Sequence, residues 1–443
     1  MGSISIAFTF LGFGILFSNW GFGNLLTKEL SRNKNIYNKY FSNYILIRIF
    51  FAFIAILVIY IIVPIFSYTK ETIAVIQIIS FSLIATTIDK LYFSIFIAFE
   101  EFKYISIISF ITSIIRLGLC LLIMLNNGTI INIAIIYTIT EYVALFISSI
   151  IIYKFLPNLK FEIKLRFAFS EIIKAVPFFW MGVLIMIDTR SEILILSWFF
   201  DEMTVGFYSA VVTIIGGITL FSEGIRNAIF PLILRYQKIS KSKLKEIVTV
   251  IGKYILITTI PISIIIYFLS EEIVYLFFGS EFSISVIMLK ITIWSFIFYT
   301  LTVVLTGLLI SYDQEKLVAI SLFVSGTATI ILNILLISII GVVGVAIVRM
   351  ITSIIIFTIC LVIHYKISGY SIINGLTCLL MLITSIITFF TINFIANVNK
   401  WLAIAIGIIV YLLTLKIFKI INKFDFTLWK NVYHEFNGKN HPS

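Results

Sequence analysis

Acidic residues are scarce in this chain. It has 21 Asp and Glu among 443 residues, against 32 Lys and Arg, and all four charged types together reach only 12%. Soluble domains carry about a quarter charged residues and about half apolar ones. Here 61% are hydrophobic and the mean hydropathy is +1.14. That balance excludes a soluble enzyme and a disordered chain. Cysteine is nearly absent: Cys120, Cys360 and Cys378 each sit inside an apolar run, with no CxxC spacing. A secreted disulfide scaffold and a thiolate zinc site are thereby excluded. His364, His434 and His441 show no ligand spacing, so the sequence calls for no metal and no cofactor. Long polar stretches are missing too, and no gap between apolar runs is long enough to fold as a domain.

What is present is apolar sequence in long blocks. A helix needs about 20 mostly apolar residues to cross the hydrocarbon core. Thirteen stretches qualify: 3–27, 41–67, 72–99, 104–125, 130–153, 174–199, 203–230, 247–269, 284–310, 317–340, 342–364, 372–396 and 400–421. Ile, Phe and Val dominate them and would favour strands in water. In lipid the backbone must satisfy its own hydrogen bonds, which makes such runs helices. The first run continues as a span, so it does not read as a cleaved signal peptide. The net charge of +11 gathers in the gaps. Odd-numbered gaps and the C-terminal tail hold nineteen Lys and Arg; even-numbered gaps and their borders hold two, Lys70 and Lys400. Nucleic acid is therefore not the partner that the charge indicates. By the positive-inside rule the odd gaps and the C-terminus are cytoplasmic.

The chain repeats itself. Gly2, Ser5, Thr9, Gly12, Leu16, Phe17 and Ser18 recur as Gly206, Ser209, Thr213, Gly216, Leu220, Phe221 and Ser222, an offset of 204. Lys103, Ile107, Phe110 and Gly128 recur as Lys316, Ile320, Phe323 and Gly341, an offset of 213. Internal repeats of this kind are common in transporters. The reading is an all-α polytopic membrane protein with two pseudo-symmetric lobes and two extra helices. The N-terminal lobe spans 1–153, a cytoplasmic linker 154–173, the C-terminal lobe 174–364, the additional helices 372–421 and the tail 422–443. In the second lobe helix 174–199 precedes the Gly206 element. Its counterpart before Gly2 is absent, which predicts a missing N-terminal helix and a total of fourteen spans. The alternative is a chain of thirteen.

Ionisable residues inside spans are costly and mark functional candidates. Arg116, Arg190, Arg226, Lys290 and Arg349 are the candidate cations of a cavity. Asp188, Glu192, Glu141 and Glu223 are the candidate sites for a coupling proton or sodium ion. Arg48, Lys174, Lys253 and Lys416 lie near the cytoplasmic side and read as cations that snorkel to the interface. Asp89 and Lys90 read as lobe packing. Ser209, Thr213, Gly216, Thr219, Glu223 and Arg226 recur at helical spacing and form one polar, small-residue face. Ser5, Thr9, Gly12 and Asn19 form the equivalent face in the first lobe, so a central cavity is expected between them. Pro177 reads as a helix-start residue, and Trp20, Trp198, Trp294 and Trp401 as interface belt or packing.

Residues 169–216 carry a Pro near the helix start (Pro177), an Asp mid-helix (Asp188), an acidic turn, and Val205, Gly206, Tyr208, Ser209 and Ala210. With EEIVYLFFGSEF (271–282) and Gly307, Leu308, Leu309, Lys316, Asn333, Gly341, Gly344 and Ala346, this order resembles the Wzx-type O-antigen and capsule flippases of the MOP exporter superfamily. The resemblance runs over nearly the whole chain. It implies two six-helix lobes around a cavity plus two helices, in the bacterial cytoplasmic (inner) membrane. It also implies a cargo, undecaprenyl-diphosphate-linked oligosaccharide, carried between leaflets in concert with other polysaccharide assembly proteins. Cavity cations suit that diphosphate. Two other readings remain: a MATE-like exporter of small organic cations, and a membrane-embedded glycan polymerase. No nucleophile–base pair or phosphate-binding glycine loop supports an enzyme.

Overall fold

The computed structural model describes residues 1–156, 159, 163–422 and 425. Among the described residues every regular element is helical. The tail from 426 onward, with His434 and His441, and part of the 154–173 linker lie outside them. Twelve helices are long and apolar enough to cross a membrane, and the bent pair Ser280–Thr292 and Ser295–Ser311 makes thirteen. The thirteen spans expected from hydropathy are these.

The chain forms two compact units, Met1–Ser209 and Ala210–Ser443. The first holds α1 (Gly2–Asn19), α2 (Phe22–Arg32), α3 (Tyr37–Ile62), α4 (Lys70–Ser80), α5 (Ser82–Ala98), α6 (Phe102–Leu125), α7 (Ile130–Phe155) and α8 (Leu165–Phe199). The division falls inside α9 (Glu202–Ile239), well beyond the linker that the sequence marks. The second unit continues with α10 (Lys241–Phe268), α11 (Ser270–Phe278), α12 (Ser283–Thr292), α13 (Ser295–Ser311), α14 (Glu315–Ile340), α15 (Val343–Ser368), α16 (Gly375–Ala396) and α17 (Lys400–Ile417).

The helix boundaries carry the repeat. An offset of 204 takes Tyr37, where α3 starts, onto Lys241, where α10 starts. An offset of 213 takes α5 onto α13 at both ends, and α7 onto α15 at both ends. The nine-residue change in offset falls at α11, which has nine residues and no partner in the first half. Packing repeats as well. Ser18 on α1 and Thr87 on α5 share a hydrogen bond of 2.7 Å, and Ser222 on α9 and Thr300 on α13 share another of 2.7 Å. Those are the same two positions under the two offsets. Helices in lipid gain little from burying apolar surface and depend on close packing and such polar pins.

Connections alternate between the ends of each unit. In the first, Lys34 lies over the Phe99 ring at 5.2 Å, and Phe99 meets Phe155 at 5.3 Å, which gathers three odd-numbered gaps. At the other end the Thr69 amide donates to Glu202 Oε1 at 2.8 Å, joining two even-numbered gaps. In the second unit Lys400 bridges to Glu272 at 2.6 Å. Tyr312 and Tyr370 place their hydroxyls 3.4 Å apart, opposite in gap parity to that bridge.

The helices are less regular than their hydropathy. The first span breaks at Trp20 (φ 44°) and Gly21 (φ 76°), both left-handed. A side chain on Gly21 would also strike the backbone of Phe179 at 2.7 Å, so glycine is needed there twice over. Pro177, expected at a helix start, lies inside the 35-residue α8, because that helix begins at Leu165.

Candidate functional site

In the first unit the polar face of α1 is covered. Thr9 is fully buried, and Met186 of α8 lies where a side chain on Gly12 would go. Beside it sits Arg48 of α3, which is fully buried. Its guanidinium donates to the Thr87 carbonyl at 3.0 Å and to Asn19 Oδ1 at 2.6 Å. Asn19 in turn accepts from the Gly23 amide at 3.2 Å, at the start of α2. Arg48 therefore does not snorkel to the interface as expected. It ties α3 to α1 and α5, using acceptors 29 and 39 residues away that no local sequence signal announces.

Of the candidate residues, Arg116 and Glu141 bond to each other. Arg116 reaches Glu141 Oε1 at 2.5 Å and Thr140 Oγ1 at 2.9 Å, with the Tyr137 ring 4.5 Å away. Thr86 donates to the other Glu141 oxygen at 3.3 Å, so the pair joins α5, α6 and α7. On α8, Glu192 is buried and accepts the Tyr208 hydroxyl. Asp188 and Arg190 are half-buried. Arg190 has no ion pair or hydrogen bond among the described residues. It shares a helical stripe with Phe179, Val183 and Leu194. Those three border an apolar groove of about 380 Å3, walled also by Phe10, Phe13 and Phe17 of α1 and Ile59 of α3.

In the second unit the face of α9 is open. Thr213, Gly216 and Arg226 are exposed, and a side chain at Gly216 or Gly224 would meet nothing within 4 Å. Glu223 and Arg226 form an ion pair one helical turn apart. Tyr299 of α13 donates to Glu223 at 3.2 Å. Arg349 of α15 and Arg226 both lie within electrostatic reach of the Tyr299 hydroxyl. Three of the candidates, Glu223, Arg226 and Arg349, thus lie around one tyrosine. Lys290 of α12 stands apart, 5.6 Å from the Tyr267 ring.

Lys253 of α10 departs from the snorkelling expected of it. It is buried, bonds to Asp425 Oδ2 at 2.5 Å and donates to the Ile420 carbonyl at 3.1 Å. Asp425 also accepts from the Asn422 amide at 3.0 Å.

A second cavity, of about 490 Å3, lies at the end of the first unit where α3 leads to α4 and α8 to α9. Phe66, Tyr68, Trp198 and Phe200 line it together with Asp201 and Glu202. The Tyr68 and Ser197 hydroxyls are 2.8 Å apart. Burial pushes the Tyr68 hydroxyl above its ordinary range, and the nearby Glu202 charge adds to this, so it stays protonated. Asp201 accepts from the Thr204 amide at 3.0 Å, and its bonds to Thr204 hold its carboxyl below the usual range. This cavity escaped sequence reasoning, because its two halves are about 130 residues apart and nothing in either points to the other.

Long apolar helices in two repeated halves, with charges held inside the spans and no metal-holding cluster among the described residues, define a multi-pass membrane protein with a transporter architecture. Solved structures agree on the fold. The chain superposes on "Lipid II flippase MurJ, inward closed conformation" with a TM-score of 0.73 and 19% identity, covering 94% of this chain and 96% of that one. An inward-facing multidrug resistance MATE family transporter of the MOP superfamily gives a TM-score of 0.66 and 12% identity, covering 83% and 90%. The profile of a family described as "Polysaccharide biosynthesis protein" matches residues 1–237, and the chain belongs to that family. A curated relative, "Probable low-salt glycan biosynthesis flippase Agl15" of Haloferax volcanii, is 30% identical over 159 residues, or 35% of this chain. The match spans about a third of that relative's length, 33%.

Proposed function

We propose that this protein is a flippase. It moves an undecaprenyl-diphosphate-linked oligosaccharide across the bacterial cytoplasmic membrane for O-antigen or capsule assembly, with its C-terminus in the cytoplasm. The observation that carries this reading is Arg190, a half-buried cation within a span that has no counter-ion among the described residues. A charge in that setting is expensive unless an anion joins it. A diphosphate answers that need, and the apolar groove on the same stripe of α8 suits the lipid that carries it. The Glu223, Arg226, Tyr299 and Arg349 cluster gathers two guanidiniums near one tyrosine, donors that suit an anionic cargo better than the organic cations of a drug exporter. Family membership supports a glycan substrate.

The chemistry required is electrostatic and involves no covalent change. Guanidiniums offset the loss of water around the diphosphate by charge-assisted hydrogen bonds. Access alternates, because a polar path open to both faces would leak ions. Asp188, Glu192 and Glu223 are the carboxylates on which a proton or sodium ion could change the local charge and release the cargo. Arg116 and Glu141 have spent their charges on each other and serve the packing of the first unit.

The test is transbilayer movement of a fluorescent lipid-linked oligosaccharide in proteoliposomes. Arg190→Ala should abolish movement while purified protein yield and melting temperature hold, and Arg190→Lys should restore part of it. Full movement in Arg190→Ala would remove the reading.

A further inference from the structure

The cavity between the α3–α4 and α8–α9 connections has no part in holding a diphosphate. Its lining joins aromatic side chains to Asp201 and Glu202, and both acids would repel phosphate. Aromatic residues near a span end are ordinarily interface belt. Here they enclose a common space. Phe66 stacks on Tyr68 at 5.3 Å and meets Trp198 edge-on at 6.0 Å, and Trp198 stays 77% exposed beside the cavity. The Tyr68 hydroxyl donates to Ser197, whose own proton goes to the Leu194 carbonyl at 2.9 Å, and the Tyr68 oxygen keeps lone pairs to accept with. Glu202 holds the Thr69 amide and Asp201 holds Thr204, and each carboxylate has further lone pairs to offer.

We infer that this cavity is a saccharide-binding vestibule, which takes an uncharged hexopyranose or N-acetylhexosamine from the glycan of the transported lipid. A pyranose has one face of C–H bonds and a perimeter of hydroxyls. The C–H face matches the negative face of an aromatic ring. The hydroxyls match the phenol acceptor and the two carboxylates, and charge strengthens the bonds to the carboxylates. The volume lies within the range of small-molecule sites. Gaps 68–71 and 200–202, which build the vestibule, carry Lys70 and no other Lys or Arg. The charge asymmetry therefore sets it on the non-cytoplasmic face. There the sugar head would arrive first, and the two carboxylates would push the diphosphate away.

The inference rests on the flippase reading only for the source of the sugar, so the binding test uses none of the transport machinery. Purified protein in nanodiscs is mixed with methyl glucoside, methyl galactoside, N-acetylglucosamine or methyl glucuronide, and saturation-transfer NMR reports binding. The neutral and N-acetyl sugars should give transfer at C–H protons of one ring face, with the glucuronide weakest. Trp198→Ala should weaken binding roughly tenfold, as truncation of an anchoring aromatic does, and Trp198→Phe should restore most of it. Asp201→Asn keeps a helix-capping side chain and should strengthen binding of the glucuronide. No transfer to any sugar, or transfer unaltered in Trp198→Ala, would overturn the inference. Sugar binding retained in an Arg190→Ala protein that cannot transport leaves the vestibule standing. Sugar binding in a wild-type protein that moves no lipid-linked glycan would remove the flippase reading alone.

Discussion

The bond between Lys253 and Asp425 gives the sharpest stability prediction. The two side chains are 11% and 2% exposed, and the ammonium spends a second donor on the Ile420 carbonyl. Removing one partner of a buried pair strands the other charge and costs about 3–5 kcal/mol. In Lys253→Met the stranded group is Asp425, which keeps the Asn422 amide at 3.0 Å. That surviving bond sets the expected loss near the lower figure, about 3 kcal/mol. For a domain of this size each kcal/mol moves the melting temperature by about 2–4 °C. The single variant should therefore melt about 6–12 °C lower in detergent. In Lys253→Met/Asp425→Leu no charge is left buried, and replacing a buried pair by apolar groups is close to neutral. Most of the loss should return. The wild-type melting temperature should change little with salt, since a buried pair is poorly screened. A single variant within about 1 kcal/mol of wild type would mean that the pair behaves as an exposed bridge. A double variant as weak as the two singles combined would refute the stranded-charge argument.

Two further outcomes follow from local geometry. Ser18→Ala and Ser222→Ala each remove one repeated pin, and each should cost about 0.6 kcal/mol, the usual worth of a hydrogen bond between membrane helices. A thermal denaturation comparison in which one variant is neutral and the other severe would contradict the equivalence of the two halves. Asp201 has a depressed folded pKa, so its capping contribution is present above the unfolded value of about 3.9 and is lost as pH falls through the folded one. Hydrogen-exchange protection at the start of α9, relative to the intrinsic rate at each pH, should therefore fall only at acid pH. In Asp201→Ala protection should be low throughout, and slow exchange there would show that the cap contributes nothing.

The spans were legible because lipid leaves a long apolar run one stable conformation. The repeat was legible from glycines and hydroxyls, since those small residues set the helix contacts that recur, as at Ser18 and Ser222. The fates of Arg48 and Lys253 were not. Both read as interface cations by depth, but whether a basic residue reaches water or an acceptor depends on what the fold brings beside it. Asn19, Thr87 and Asp425 are far away in sequence. The helix breaks were hidden for a similar reason. Hydropathy averages across a turn such as Trp20–Gly21, where the backbone changes hand within two residues. Among the candidate residues, the spacing of three between Glu223 and Arg226 placed them on one helix face. It could not show that Tyr299 and Arg349 converge there from two other helices.

The interruption at Phe81, between α4 and α5, recurs at Ile293–Trp294, between α12 and α13. In the first half the two segments still run as one span, whereas in the second they meet at 47°. The repeat thus carries the interruption as well as the helices, with a different bend in each half. A bend at this position is a local adjustment that needs no rebuilding of the surrounding bundle. Selection could alter one copy's stiffness while leaving its twin untouched, which gives a symmetric ancestor a simple route to an asymmetric machine.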